Sequence, residues 1–207
     1  MAKEFAWLAR DFRPNALIDI GANDGAYASF LRDYFRIPLV HAFEPLQQHA
    51  AELSERGFIV HPVALSDRNG EADFHVNDYG AASSLLPLTE TCIREYPQTA
   101  RTTSRKVTVA RLDDELPDPP QGSLVKIDAQ GYELPIIQGG RKVLTAAQFI
   151  LIEMTFVPLY EGQALFNGVH AELDALGFEM AGFLSQRAEA DSGRPLFAHC
   201  AYAKRPA

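Results

Sequence analysis

Disulfide chemistry has little to work with in this chain. Its 207 residues hold two cysteines, Cys92 and Cys200, with no C-x-x-C pair. They read as free thiols in a reducing compartment, which points to the cytoplasm. No run reaches the 18 or so apolar residues of a membrane span. Met1 to Phe12 carries Lys3, Glu4, Arg10 and Asp11 and lacks the apolar core of a signal peptide. Positive charge is also scarce: 19 Lys+Arg against 27 Asp+Glu leave a net −8. Such a surface repels phosphate backbones, so neither nucleic acid nor membrane is an expected partner. The six histidines are scattered without metal-ligand spacing, so the spacing indicates no metal site. Gly 14 and Pro 13 are ordinary values, which excludes collagen-like and disordered classes. What remains is a chain long enough to bury a sizeable core, expected as one domain over 1–207.

Hydrophobic periodicity divides the chain. Phe5, Leu8, Ala9 and Phe12 suit one face of a short first helix ending before Pro14. Ala16–Gly21 is a short apolar run that stops on glycine and reads as a buried strand. Helical spacing follows over Gly25–Phe35, and Leu39–Glu44 is a second strand. Pro45 suits the first turn of a helix to about Arg56, capped by Gly57. Phe58–Leu65 is a third strand with an irregularity at Pro62. This β-α-β-α-β order predicts a parallel sheet with helices on both faces. Glu71–Val76 alternates like a strand. Asn77–Lys106 reads as a long loop with one helical stretch near Leu88–Glu95, either a lid or an insertion packed at the sheet edge. After an alternating Val107–Leu112, strands at Leu124–Asp128 and Phe149–Glu153 enclose a helix interrupted by Gly139-Gly140. A helix over Phe166–Leu176 precedes two last strands, Phe178–Leu184 and Leu196–Lys204, expected as an antiparallel pair.

The sharpest chemical signal is Asp19-Ile20-Gly21-Ala22-Asn23-Asp24-Gly25, between the first strand and its helix. Its two glycines permit positive φ and close approach of a ligand, and a loop opening a helix offers free N–H groups to an anion. The spacing is G-x-x-x-G. A dinucleotide fingerprint would need a glycine where Asn23 stands. Asp19 and Asp24 crowd the loop with negative charge, unfavourable for phosphates and suited to an ammonium group or a ribose. Glu44 ends the second strand nineteen residues after Gly25, where an acid accepts from both ribose hydroxyls. The plain alternatives are an ordinary turn for the loop and a solvated carboxylate for Glu44.

The combination resembles class I S-adenosylmethionine-dependent methyltransferases and, more narrowly, the FkbM-type family. Four stretches carry the likeness: Ile18–Gly25 (IDIGANDG), Ala42–Pro45 (AFEP), Val125–Glu133 (VKIDAQGYE) and Leu151–Gly162 (LIEMTFVPLYEG). Ser83-Ser84-Leu85 and Val107–Asp113 also fit. Where family members often carry Val-Glu-Gly, this chain has Ala129-Gln130-Gly131. The resemblance implies a Rossmann-like α/β fold, doubly wound around a mostly parallel seven-stranded sheet with a reversed last strand. It also implies S-adenosylmethionine lying across the strand carboxyl ends. Asp19, Gly21, Asn23, Gly25, Glu44 and Asp128 would then line the cofactor, with Ala64, Leu65 and Asp67 beside adenine. Asp67 is equally placed to form the turn Asp67-Arg68-Asn69-Gly70. Asp128 and Glu153, at the ends of adjacent strands, would face the acceptor as base, as hydroxyl orienters or as holders of a divalent cation; a helix cap is the plain role for Asp128. The implied activity is O-methylation of a sugar or secondary-metabolite hydroxyl. Its rivals are an NAD-dependent oxidoreductase and a non-catalytic binding module on the same fold.

Overall fold

Short central strands buried on both faces need cover on both, and this chain supplies it. In the computed structural model, which describes residues 5–8 and 12–206, β1 (Leu17–Ile20) lies between β2 (Val40–Phe43) and β7 (Ser123–Ile127). The seven-stranded sheet runs β3-β2-β1-β7-β8-β10-β9, with β3 at Ile59–His61, β8 at Ala147–Thr155, β9 at Phe178–Ala188 and β10 at Pro195–Lys204. Only β10 is antiparallel to its neighbours β8 and β9. The chain winds outward from β1 in both directions, so the crevice between β1 and β7 is the topological switch point where open α/β sheets bind ligands.

Alternation along the strands sorts the two cores. Ile18, Ile20, Val125, Ile127, Ile150 and Ile152 point to one face, covered by α5 (Glu133–Gly139), α6 (Arg141–Ala146) and α7 (Phe166–Ala175). Leu17, Leu124, Leu151 and Ala201 point to the other, against Ala28, Leu31 and Phe35 of α1 (Ala26–Phe35) and Leu53 of α2 (Gln47–Glu55). Phe5, Leu8 and Phe12 join this second core; the helix expected there falls partly on residues outside those described. Pro45 stands just outside α2, whose N-cap is Leu46, while Gly57 follows its C-cap at φ 78° as expected. Among the described residues no helix is long and apolar enough to cross a membrane.

Two strands depart most from the sequence reading. Phe58–Leu65 is not one strand. Pro62 has no N–H to continue the ladder, Val63 N–H donates to His61 O (2.9 Å), and the chain leaves the main sheet. It re-enters as β4 (Ala64–Ser66) in a second sheet of order β4-β6-β5, with β5 at Gly70–Asn77 and β6 at Thr102–Arg111. β6 thus begins five residues before its alternating part: Thr102–Lys106 is exposed and polar, and it pairs with β5 through the backbone ladder and through Lys106–Asp73 and Asn77–Thr102 side-chain contacts. The long 77–106 segment is correspondingly more ordered than a loop. It holds α3 (Glu90–Glu95), capped by the Thr89 hydroxyl, and two 3-10 turns at Gly80–Ala82 and Pro97–Thr99.

The small sheet reaches the crevice because α5 packs directly on β4. A Cβ on Gly139 would stand 1.9 Å from the Ser66 carbonyl oxygen. Gly139→Ala is therefore expected to lose at least the 1–3 kcal/mol typical of overpacking, about 2 kcal/mol or more, in urea denaturation. Wild-type stability in that variant would show that this contact does not hold β4 in place.

Candidate active site

The glycine loop after β1 is closed on itself. Gly21 and Ala22 N–H donate to Phe43 O (3.1 Å each), Asn23 N–H to Glu44 Oε2 (3.0 Å), Gly25 N–H to Ala22 O (2.9 Å) and Ala26 N–H to Asp24 Oδ1 (2.9 Å). The expectation of free amides awaiting an anion is thus corrected: these donors are used, and little remains for a pyrophosphate. Both glycines do adopt positive φ, 77° and 74°. The space beside them belongs to the protein, however. A Cβ on Gly21 would meet Asp128 O at 2.0 Å, and one on Gly25 would meet Leu53 at 2.6 Å. Gly21 lets the loops after β1 and β7 touch; Gly25 lets α1 and α2 touch.

Glu44 is buried at the end of β2, and its second oxygen accepts from Leu46 N–H (2.9 Å). Burial raises its carboxyl, while the Leu46 and Asn23 amides pull it back. Each oxygen keeps a further lone pair. Glu44 lines a cleft together with Gly21, Asn23, Ala64, Leu65 and Asp128. Val63, Phe74 and Ile136 supply its apolar wall.

Beyond that cleft a polar row crosses four adjacent strands at one level. Ile127 pairs with Ile152, so Asp128 and Glu153 stand side by side; Glu153 is opposite His199, and His199 opposite Ser185. His199 Nε2 lies 3.8 Å from Asp128 Oδ2 and 3.7 Å from Glu153 Oε2, and its Nδ1 is 2.9 Å from Ser185 Oγ. One step deeper, Lys126 is ion-paired with Asp19 (3.1 Å), donates to Gly21 O (2.8 Å) and stands 4.0 Å from Asp128. Burial alone would lower the Lys126 ammonium, but Asp19 and Asp128 hold it above its ordinary value. For Asp128, burial works upward, yet Lys126, His199 and the Gln130 amide outweigh it and hold the carboxyl well below the usual range. Glu153 goes the other way: burial, then Asp128 and Glu133, raise it well above. Two carboxyl groups with opposed environments at one cleft are a common arrangement for proton-handling sites.

Gln130 links this row to the 77–106 segment. Its Nε2 donates to Asp128 Oδ1 (2.6 Å), its Oε1 accepts from the Tyr160 hydroxyl (2.6 Å) and its carbonyl accepts from the Ser84 hydroxyl (2.7 Å). It does so at φ 55°, a left-handed conformation that a non-glycine residue holds only when its surroundings enforce it. An acid at this position could not donate to Asp128, so the amide changes the role of the site rather than leaving it vacant. Thr89 N–H to Leu159 O (3.0 Å) and Glu161 N–H to Pro87 O (2.8 Å) fasten the segment over the strand ends. Tyr79, Tyr96, Gln98 and Thr99 thereby line, with Asp128, Glu153 and His199, a further cleft.

Of the residues singled out from sequence, Gly21, Asn23, Glu44, Ala64, Leu65 and Asp128 line the first cleft, and Asp128 with Glu153 the second. Asp19 lies beneath, wholly buried against Lys126, and Gly25 shapes the loop without lining it. Asp67 is partly exposed, accepts from the Ser66 hydroxyl (3.0 Å) and stands 3.6 Å from Arg68, outside the cleft wall. Tyr160 and His199 were not singled out; Gln130 was noted only as a departure from the family pattern, and Lys126 only as a buried residue to be paired with an acid, a pairing that Asp19 fulfils. His199 had a usable signal: a reversed last strand brings its first residues, not its last, to the crevice.

Known proteins match this chain in sequence and in fold. The FkbM methyltransferase domain matches residues 19–180. The chain belongs to the FkbM methyltransferase family. It is 32% identical, over 84% of its length and 76% of the other's, to the 2-O-methyltransferase NoeI of Sinorhizobium fredii. The fold recurs in the magnesium protoporphyrin IX methyltransferase of Synechocystis with bound S-adenosylmethionine (TM-score 0.53, 9% identity, 98% of this chain and 77% of that one). It also recurs in the ribosomal protein L11 methylase of Lactobacillus delbrueckii (TM-score 0.51, 8% identity, 99% and 79%). This FkbM-family protein is an S-adenosylmethionine-dependent methyltransferase, and the oxidoreductase reading is set aside. The donor set fits the cofactor: an acid with spare lone pairs at β2, an apolar wall at β4 and no amide cradle for a pyrophosphate.

Burial has a measurable cost beside this FkbM site. Glu133 Oε1 accepts from Ala129 and Gly131 N–H (3.0 and 3.1 Å), and burial together with the Asp128 charge pushes its carboxyl from 4.5 up to about 7. The folded state therefore holds this proton more tightly than the unfolded one. The stabilisation is complete below pH 4.5 and is lost as pH rises through about 7. Glu133→Gln keeps the accepting oxygen. It should flatten the loss of stability between pH 4.5 and pH 7, a difference of up to about 3 kcal/mol at 1.36 kcal/mol per unit, read by urea titrations across pH. Identical slopes for variant and wild type would contradict this placement of the proton.

Proposed function

We propose that the protein transfers a methyl group to a hydroxyl of a small molecule, a sugar or a secondary metabolite. The observation that carries this reading is Asp128: it lines both the cleft walled by Glu44, Ala64 and Leu65 and the cleft walled by Glu153, His199 and Tyr160. Donor and acceptor sites so joined can hold reacting atoms in line, which is where such a transfer gains most. The relative named a 2-O-methyltransferase favours a hydroxyl acceptor. Cytoplasmic action is part of the proposal, supported by two buried cysteines that form no disulfide. So is a single methyltransferase domain in which 77–106 covers the acceptor side.

When bound, S-adenosylmethionine supplies an electrophilic methyl, and the pair from the broken S–CH₃ bond leaves the sulfur a neutral thioether. Glu44 accepts from the ribose hydroxyls with the lone pairs its backbone partners leave free. Ala64, Leu65 and Ile136 enclose the adenine. Lys126, which is paired with Asp19 and donates to Gly21 O and more distantly to Ile20 O, would supply positive charge to the carboxylate of the amino-acid end. The acceptor hydroxyl sits against Asp128 and Glu153, its oxygen forms the new O–CH₃ bond, and its proton passes to one of those carboxylates. Tyr79 and Tyr96 offer flat faces for a sugar ring.

Radiolabelled S-adenosylmethionine tests the bond formed. The label should enter a sugar or secondary-metabolite acceptor as an ether that survives mild alkali; label released by alkali would mean a carboxyl acceptor and overturn the reading. For the donor end, Glu44→Gln loses a charge-assisted acceptor worth about 1.5–3 kcal/mol. Calorimetry should show S-adenosylhomocysteine binding weakened by about ten- to a hundred-fold, and no heat with NAD. An unchanged dissociation constant would remove Glu44 from the ribose site.

A further inference from the structure

We infer that Asp128, Glu153 and His199 together form a site for one divalent metal cation. Each offers one donor atom, and the three atoms lie within 4.8 Å of one another. With His199 Nε2 at 3.8 Å from Asp128 Oδ2 and 3.7 Å from Glu153 Oε2, a single point can stand about 2.5 Å or less from all three, within reach of metal–oxygen and metal–nitrogen bonds.

A second observation points to a ligand independently. The Glu153 side chain is 7% exposed, faces the cleft and accepts no hydrogen bond among the described residues; His199 Nε2, 3.7 Å away, is too far for one, and the adjacent Asp128 carries charge of the same sign. A buried carboxylate without donors is costly and is ordinarily paired or bound to a metal. The other members of the row are positioned. Gln130 holds Asp128 Oδ1, leaving Oδ2 toward the cleft. Ser185 Oγ pairs with Nδ1 of His199 at 2.9 Å; in the tautomer with the proton on Nδ1 this is the outer contact that turns the Nε2 lone pair toward a metal. Lys126 does not already fill the site, because its ammonium is held by Asp19 and Gly21 O, on the β1 side of Asp128.

One imidazole with two carboxylates suits Mn²⁺ or Zn²⁺ better than Mg²⁺, which prefers oxygen alone. All three ligands come from the strand side, so the opposite side of the ion stays open to the cleft. There an acceptor hydroxyl can coordinate and lose its proton more readily, to the Glu153 oxygen that the ion does not use. This use rests on the hydroxyl-acceptor reading above; the binding site itself does not.

The test is calorimetry of the full chain, freed of metal, with Mn²⁺ and then Zn²⁺, repeated in Glu153→Gln and His199→Gln. One ion per chain should bind, and each variant should weaken it at least about ten-fold. S-adenosylhomocysteine should bind both variants within about two-fold of wild type, which reports an intact fold and donor site. No binding of either ion at about millimolar concentration, or equal affinity in wild type and both variants, overturns the site. Alkali-stable methyl transfer by protein that binds no metal would sink the cation and leave the hydroxyl acceptor standing. Metal binding with an alkali-labile product would do the reverse.

Discussion

The buried ion pair between Asp19 of β1 and Lys126 of β7, 3.1 Å long, ties the two strands together where the chain turns outward in both directions. The same ammonium donates to Gly21 O, at the head of the glycine loop, and borders Asp128 at the end of its own strand. Fold and site therefore share one cation. Removing either partner would strand an opposite charge in the interior, a loss of about 3–5 kcal/mol. Gly21 completes the junction by having no side chain, so the two loops meet backbone to backbone. Both clefts open from this point, and neither could keep its shape if β1 and β7 separated.

Around that junction the charge is uneven. Asp19, Asp128, Glu133 and Glu153 are gathered with Lys126 as their nearest fixed cation, and His199 stands across the cleft. The surplus is relieved differently at each place: an ion pair for Asp19, backbone amides and a raised carboxyl for Glu133, a side-chain amide for Asp128. Glu153 has neither an ion-paired cation nor a hydrogen-bond donor among the described residues, and its carboxyl is raised well above the usual range. This sets Glu153 in the second cleft apart from Glu44 in the first, whose two oxygens are satisfied by Asn23 and Leu46.

The parts of the first cleft were legible in the sequence because each of them is local. An apolar run ending in a glycine loop, an acid closing the next strand and an acid closing a later one each lie within a few residues of a recognisable turn. What could not be read was the partner of each group. The loop amides looked free, yet they bond to Phe43 and Glu44, more than twenty residues away. Pro62 looked like a blemish in one strand and is the point where the chain changes sheets. His199 looked isolated because it reaches Glu153 through antiparallel pairing of strands 46 positions apart in sequence. The 77–106 segment hid its order because its partners, Leu159, Tyr160 and Gln130, lie far along the chain and its strand residues are polar on both faces. Local chemistry thus reveals itself in sequence, and chemistry assembled by register does not.

A crystal structure of the complex with S-adenosylhomocysteine tests most directly whether the two clefts meet at Asp128. The ribose hydroxyls should lie on Glu44, the adenine against Ala64 and Leu65, and the sulfur should open toward Asp128, Glu153 and His199. A homocysteine end directed away from Asp128, with the sulfur closed off from Glu153 and His199, would contradict the placement of methyl transfer at this junction.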